Sequence, residues 1–256
     1  MTGKLFGSLA GAAVAVVSLS TSAEAVSLSY DGQNNGAVGV YTTNSDDPPN
    51  RSGSAGVFTM NNNDTGGTFL AWCLDLYDYL AGGEYTQLNG PFTGTESDPT
   101  AGSNPNPYST ASGNSWQAPV LTNEQLAKIE NLFEVNALTV EAIYSGVNSI
   151  QSAGFQMALW EIIYETGDSY GLTSGNFQGS PSNSTRDAVN DAADGFLANL
   201  GGTIQQNYDL TFWQHNSGTN QNLVSIAAVP VPAAGLLLLT GLAGIGFAAR
   251  RRRKES

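Results

Sequence analysis

Apolar and polar positions alternate most clearly over residues 68–78. Leu70, Trp72, Leu74 and Leu76 fall on one face of a predicted strand, and Phe69, Ala71, Cys73, Asp75 and Tyr77 on the other. Both faces are largely apolar, which predicts a strand covered on both sides. Upstream, residues 26–71 are rich in Gly, Asn, Ser and Thr, and Val38, Val40, Val57 and Phe58 mark short strands between turns. Residues 90–119 read as a long polar surface loop. Helical spacing follows. Thr122-Asn123-Glu124-Gln125 forms a capping-box pattern, and Leu126, Ile129, Leu132 and Phe133 recur on one face. A second helix is predicted over about 148–166, stopped by Gly167, and a third over about 184–200, stopped by Gly201 and Gly202. Residues 208–213 and 223–227 read as closing strands, and no internal repeat is evident. Strands, then helices, then strands imply an α+β fold: an antiparallel β-sandwich or barrel-like sheet with an inserted group of about three helices.

The two ends have a different texture. Residues 1–25 carry one charge, Lys4, before an apolar run over 5–19, and close on Ala23-Glu24-Ala25, the layout of a secretory signal peptide. At the other end, residues 229–249 are uncharged and end on Arg250, Arg251, Arg252, Arg253 and Lys254. At about 1.5 Å per helical residue that stretch just crosses a hydrocarbon core of about 30 Å, with the basic cluster held inside. The expected organisation is a signal peptide at 1–25, one extracytoplasmic domain at 26–228, and a C-terminal transmembrane helix within 229–254. Val229-Pro230-Val231-Pro232-Ala233 resembles the VPLPA-CTERM variant of the PEP-CTERM sorting tails, with Val231 in place of the usual Leu. That resemblance implies processing by an exosortase-type enzyme; a plain membrane anchor is the alternative. Either way the protein is exported to the envelope or beyond, and its tail enters the membrane at least before processing.

Charge narrows the partners. The chain of 256 residues has a formal net charge of −13. Segment 26–228 keeps only Arg51, Lys128 and Arg186 against 20 acidic residues, a net charge of −17. Such a surface repels nucleic acid. Residues 31–36 and 61–67 carry Asp, Asn and Gly but match no ordered calcium loop and read as turns. One cysteine and one histidine build no structural zinc site, and no cofactor motif is evident.

Cys73 is the only cysteine of an exported chain, where thiols normally pair. It is either a small buried hydrophobe, half of an intermolecular disulfide, or a catalytic or cross-linking group. Gln156 is the second conspicuous residue. On the predicted second helix Gln151, Glu161 and Glu165 gather on one side, expected to be the wet one, whereas Gln156 projects among Ser152, Ala153, Leu159 and Trp160. A buried carboxamide needs partners, at a cost of about 1–3 kcal/mol without them. A hydrogen-bonded core glutamine is one solution. The other is covalent: the Cys73 thiol attacks the Gln156 carbonyl carbon, ammonia leaves, and an internal thioester remains. This requires sulfur within about 3–3.5 Å of that carbon.

Trp72-Cys73 and Phe155-Gln156-Met157-Ala158-Leu159 resemble the paired motifs of bacterial surface thioester domains, the cysteine upstream and the glutamine on a later helix. Ala71 to Asp75 and Gln156 to Glu161 also resemble the A-W-C-x-D and Q-x-A-x-W-E segments of some exported proteins with PEP-CTERM tails. The resemblance implies covalent attachment to an amine-bearing surface or matrix target, a single-use reagent rather than an enzyme. Asp75 is a candidate for proton handling or for holding a water, and otherwise an edge carboxylate. Trp72, Tyr77, Phe155 and Trp160 are candidate pocket walls, and otherwise core aromatics. Two competing readings are a non-covalent structural or binding protein of the envelope or matrix, and a cysteine peptidase using Cys73 with His215.

Overall fold

A computed structural model of the chain describes residues 24–30, 38–44, 50–76, 79–89, 121–137, 140, 142–143, 148–165, 169–179, 184–201, 208–217 and 220–228. In chain order the strands are β1 (Glu24–Tyr30), β2 (Val38–Asn44), β3 (Asn50–Ala55), β4 (Phe58–Asn62), β5 (Gly67–Cys73) and β6 (Gly83–Asn89). Helices α1 (Asn123–Val135) and α2 (Ser149–Tyr164) follow, then β7 (Phe177–Gly179), α3 (Ser184–Ala198), β8 (Tyr208–His215) and β9 (Leu223–Ala228). Six strands close into an antiparallel barrel in the order β1-β4-β5-β9-β8-β6, and β3-β2-β7 form a separate small sheet. The helices are inserted between β6 and β8, so the α+β architecture with a barrel-like sheet is observed. The second sheet was not anticipated.

The helix starts were legible because their caps are local. Thr122 Oγ1 accepts the Gln125 N–H at 3.1 Å while Gln125 Oε1 accepts the Thr122 N–H at 2.9 Å, completing the capping box. Gln125 Nε2 also donates to the carbonyls of Ile162 and Ile163, at 3.2 and 2.9 Å, so one side chain serves the start of α1 and the end of α2. Asn148 caps α2, accepting from the N–H groups of Ile150 and Gln151. Within the expected 61–67 turn, residues 63–66 form the turn between β4 and β5, and Asn62 Oδ1 accepts the N–H groups of Asp64 and Thr65, both at 3.0 Å.

α2 is the centre of the molecule. It packs on α3, α1 and all three strands of the small sheet. A helix apolar nearly all round is one covered all round, and twelve of its sixteen residues, 152–163, are buried. Gly154 lets α3 approach, since a Cβ there would lie 2.7 Å from Ala192 Cβ and 3.1 Å from the Val189 carbonyl oxygen.

Three expectations are corrected. The strand expected over 68–78 ends at Cys73, because Leu74 and Asp75 turn to bond the segment that enters β9. α2 stops at Tyr164, ahead of Gly167, because Glu165 is already extended at φ −79 and ψ 139. The side of α2 bearing Glu161 and Glu165 is not wet. Glu161 is fully buried and Glu165 is buried as well. Segment 169–179 folds over them, the Gly171 N–H donating to Glu161 Oε1 at 2.8 Å and the Asn176 N–H to Glu165 Oε2 at 2.7 Å. Gly175, at φ +101, passes so close to the Glu165 carboxylate that no Cβ would fit.

β1 begins at Glu24, two residues ahead of the expected mature start at Val26. The rest of the expected leader, and the whole tail 229–254 with its Val229-to-Ala233 motif, lie outside the described residues, as do Tyr77 and segments 31–36 and 90–119. Among the described residues no helix is long and apolar enough to cross a membrane.

Candidate functional site

β4 and β5 pair as far as Phe58↔Ala71, where β4 begins. Cys73, two residues further along β5, lies beyond that end, and the exposed edge of the ladder there is filled by a side chain. Gln156 Oε1 accepts the Cys73 N–H at 2.9 Å, and Gln156 Nε2 donates to the Cys73 carbonyl at 2.7 Å. The carboxamide thus takes the place of a neighbouring peptide group, satisfying both main-chain polar groups of one residue. One helical turn earlier, Ser152 Oγ accepts the Val57 N–H at 2.9 Å. Ser152 and Gln156 together fasten α2 over the place where β4 stops.

The opposite edge of β5 faces β9, with Cys73 across from Leu223. Here the Cys73 thiol donates to Gln221 Oε1 at 2.8 Å, and Gln221 Nε2 donates to the Asp75 carbonyl at 2.7 Å. The Asn222 N–H donates to Asp75 Oδ2 at 2.5 Å, the Leu74 N–H donates to the Asn222 carbonyl at 2.9 Å, and Asn222 Oδ1 accepts the His215 N–H at 2.9 Å. Two primary carboxamides therefore flank Cys73, Gln156 on its main chain and Gln221 on its sulfur.

The site is dry. Cys73 is 1% exposed and Gln156 and Asp75 are 0% exposed. Burial, and then the nearby Asp75 carboxylate, hold the Cys73 thiol well above its ordinary pKa. Tyr85, which donates to the Ala81 carbonyl at 2.8 Å, is pushed upward too, by burial first and then by Cys73 and Asp75. Tyr85, His215 and Cys73 share the inner face of the barrel through the pairings Tyr85↔His215, Gln87↔Trp213, Trp213↔Leu223 and Cys73↔Leu223.

The remaining anticipated residues divide between two places. Trp72 and Phe155 belong to an aromatic cluster on the outer, helix-facing side. Trp72 lies 5.3 Å from both Phe133 and Phe155, and Phe155 lies 5.3 Å from Phe196. They support the helix that carries Gln156 rather than lining a cavity at the sulfur. Trp160 is buried one turn beyond Gln156, and its Nε1 has no hydrogen-bond partner among the described residues. Asp75 is a buried, hydrogen-bonded carboxylate, its Oδ2 accepting the Asn222 N–H. His215 does not bond Cys73; its Nδ1 contacts Ser217 Oγ at 2.8 Å and its Nε2 contacts Asn220 Nδ2 at 3.2 Å. Among the described residues no group of His, Cys, Asp and Glu is arranged to hold a metal ion. A groove of 860 Å³ between α1, segment 169–171 and α3 includes neither Cys73 nor Gln156.

Sequence reasoning missed Gln221 and Asn222. They sit in a short polar stretch ahead of β9, and nothing local distinguishes them from turn residues. Ser152 had a usable signal, its spacing of four from Gln156 on an otherwise apolar helix.

No protein-family profile matches the sequence, and no curated protein matches it. Solved structures that resemble the chain include bacterial surface thioester domains and adhesin domains. The N-terminal domain of the Streptococcus pyogenes pilus tip adhesin Cpa is 15% identical, covering 79% of this chain and 98% of that one, with a TM-score of 0.44. The N-terminal thioester domain of a surface protein from Clostridium perfringens is 14% identical, covering 75% and 100%, with a TM-score of 0.42. The N-terminal thioester domain of fibronectin-binding protein SfbI from Streptococcus pyogenes is 15% identical, covering 74% and 93%, with a TM-score of 0.41. Likenesses this distant leave the chemistry to be read from this chain's own side chains.

Proposed function

We propose that this chain is an exported surface or matrix protein that attaches covalently to extracellular amines through an internal Cys73–Gln156 thioester. The observation that carries the reading is the double hydrogen bond between the Gln156 carboxamide and the Cys73 main chain. It holds the carboxamide against the main chain of the residue whose sulfur must attack it, and a turn about the Cys73 Cα–Cβ bond, from Gln221 toward Gln156, is the movement this reading requires. Proximity of this kind replaces an encounter by a rotation. The Cys73 N–H already points at Oε1, where negative charge develops in the tetrahedral intermediate.

The reaction balances without a co-reactant. Sulfur bonds the Gln156 carbonyl carbon, the C–N bond breaks, and the thiol proton leaves with the nitrogen as ammonia. An amine from a target then displaces sulfur, forming an amide to Gln156 and returning the thiol. There is no turnover, so the protein acts as a reagent and not as an enzyme. Export by the leader, sorting of the tail by an exosortase-type enzyme, and transient membrane insertion complete the proposal and rest on the sequence of the two ends.

One observation favours a second reading, a non-covalent structural or binding protein. The Gln156 carboxamide already has a partner at its oxygen and at its nitrogen, so condensation removes the donor of the Cys73 carbonyl rather than relieving an unpartnered amide. Intact mass separates the two. The purified protein should weigh one ammonia less than its sequence, methylamine should add its own mass to that, and Cys73→Ala should abolish both effects. An unshifted mass with a titratable thiol leaves the non-covalent reading standing. Peptide cleavage lost in His215→Ala would instead support a peptidase.

A further inference from the structure

The thiol donates to Gln221, on the β9 edge, while the carbon it must attack is held on the β4 edge by Gln156. We infer that Gln221 is the residue that holds the Cys73 thiol in its open position and thereby sets the balance between thiol and thioester. This rests on the thioester reading and adds to it a residue with a defined role at the reacting sulfur.

The Gln221 carboxamide cannot swing away freely. Its nitrogen is tied to the Asp75 carbonyl, its own N–H donates to the Tyr79 carbonyl at 3.2 Å, and Asn222 next to it is bonded to Leu74 and Asp75. The oxygen that faces the sulfur is therefore fixed in a buried site. When the thioester forms, the sulfur turns to Gln156 without a proton, and the Gln221 oxygen loses its donor. When an amine or ammonia reopens the bond, the S–H returns and the acceptor is satisfied again. A buried acceptor that is paired in one state and not in the other biases the equilibrium toward the paired state. Gln221 thus favours release of sulfur, both in the reversal by ammonia and in the forward transfer to a target amine, and draws the freed thiol away from the new amide.

The test is a competition with ammonia on the full chain. Wild type and Gln221→Met, which keeps length and removes the carboxamide, are incubated over a range of ammonium concentrations, and the thioester fraction is read by intact mass. The concentration that reopens half of the chains should rise about three- to ten-fold in Gln221→Met, the range expected of one hydrogen bond. An unchanged or lowered concentration overturns the inference while leaving the thioester in place, and a wild-type chain that never loses ammonia ends both readings. A second measurement needs no Gln221 variant. In wild type reopened with methylamine, the infrared S–H stretch of Cys73 should lie at the lower frequency of a hydrogen-bonded thiol. A band at the frequency of a free thiol overturns the inference. In Gln221→Met the same band should move up, a shift that a purely structural role for Gln221 would not produce.

Discussion

Gln156 closes the hydrogen-bond ladder of Cys73 where β4 runs out, with its carbonyl oxygen 2.9 Å from the Cys73 nitrogen and its nitrogen 2.7 Å from the Cys73 carbonyl. Because this contact uses only the main chain of Cys73, the two residues differ in what their removal costs the thiol form. Gln156→Ala leaves two buried main-chain groups without partners and should lower stability by about 3 kcal/mol in urea unfolding. Cys73→Ala keeps both bonds and should cost about 1 kcal/mol. Equal losses would mean that the carboxamide is not the clamp described.

The raised pKa of Cys73 predicts slow alkylation of the open form. Iodoacetamide should react poorly at neutral pH and faster as pH rises past the ordinary thiol range, and denaturant should abolish the difference. Asp75→Asn removes the second cause of the shift and should speed alkylation at any given pH. In the folded chain the thiol keeps its proton to higher pH than in the unfolded one. Its contribution to stability is therefore complete below the ordinary thiol pKa and falls as pH rises above it.

Glu161 gives a window at lower pH. Burial, opposed by the Gly171 N–H and reinforced by Glu165 and Asp194, raises its pKa from 4.5 to about 8. The unfolded chain releases this proton first, so the stability it contributes is full below about pH 4.5 and is lost as pH climbs to about 8. Glu161→Gln keeps an acceptor for Gly171 and removes the titration. Its melting temperature should stay level across that window, where the wild-type value declines.

Gly154 couples packing to chemistry. Alanine is the better helix former by about 1 kcal/mol, yet its Cβ would meet Ala192 Cβ at 2.7 Å across the α2–α3 contact. Gly154→Ala should be destabilised by about 1–3 kcal/mol despite its propensity. Because Gln156 is on the same helix, the variant should also form the proposed thioester more slowly when followed by mass after refolding.

The parts of this fold that sequence exposes are those written in consecutive residues. The Thr122–Gln125 box, the Asn62 turn and the alternation through Cys73 each announce themselves within a few positions. The parts that escape are made by partners far away in the chain. Glu161 and Glu165 look solvated until segment 169–179 supplies N–H groups to both. β1 and β6 contain little continuous apolar sequence and gain their order by closing the barrel on each other. Cys73 and Gln156 were identifiable because their residue types are out of place where they stand. Gln221 is an ordinary residue in a short polar stretch, and only its position against the sulfur, 148 residues from Cys73, gives it meaning.

The seating of β9 between β5 and β8 bears on how this fold would carry a load. Tension entering through the chain beyond Ala228 runs down β9 to Leu223 and crosses to Cys73 on the adjoining strand. The bonds between these antiparallel strands run perpendicular to them, so a pull along β9 strains them in shear, several at once, rather than peeling them singly. A cargo held at Gln156 would hang beside that crossing point, on the helix whose carboxamide is bonded to the Cys73 main chain.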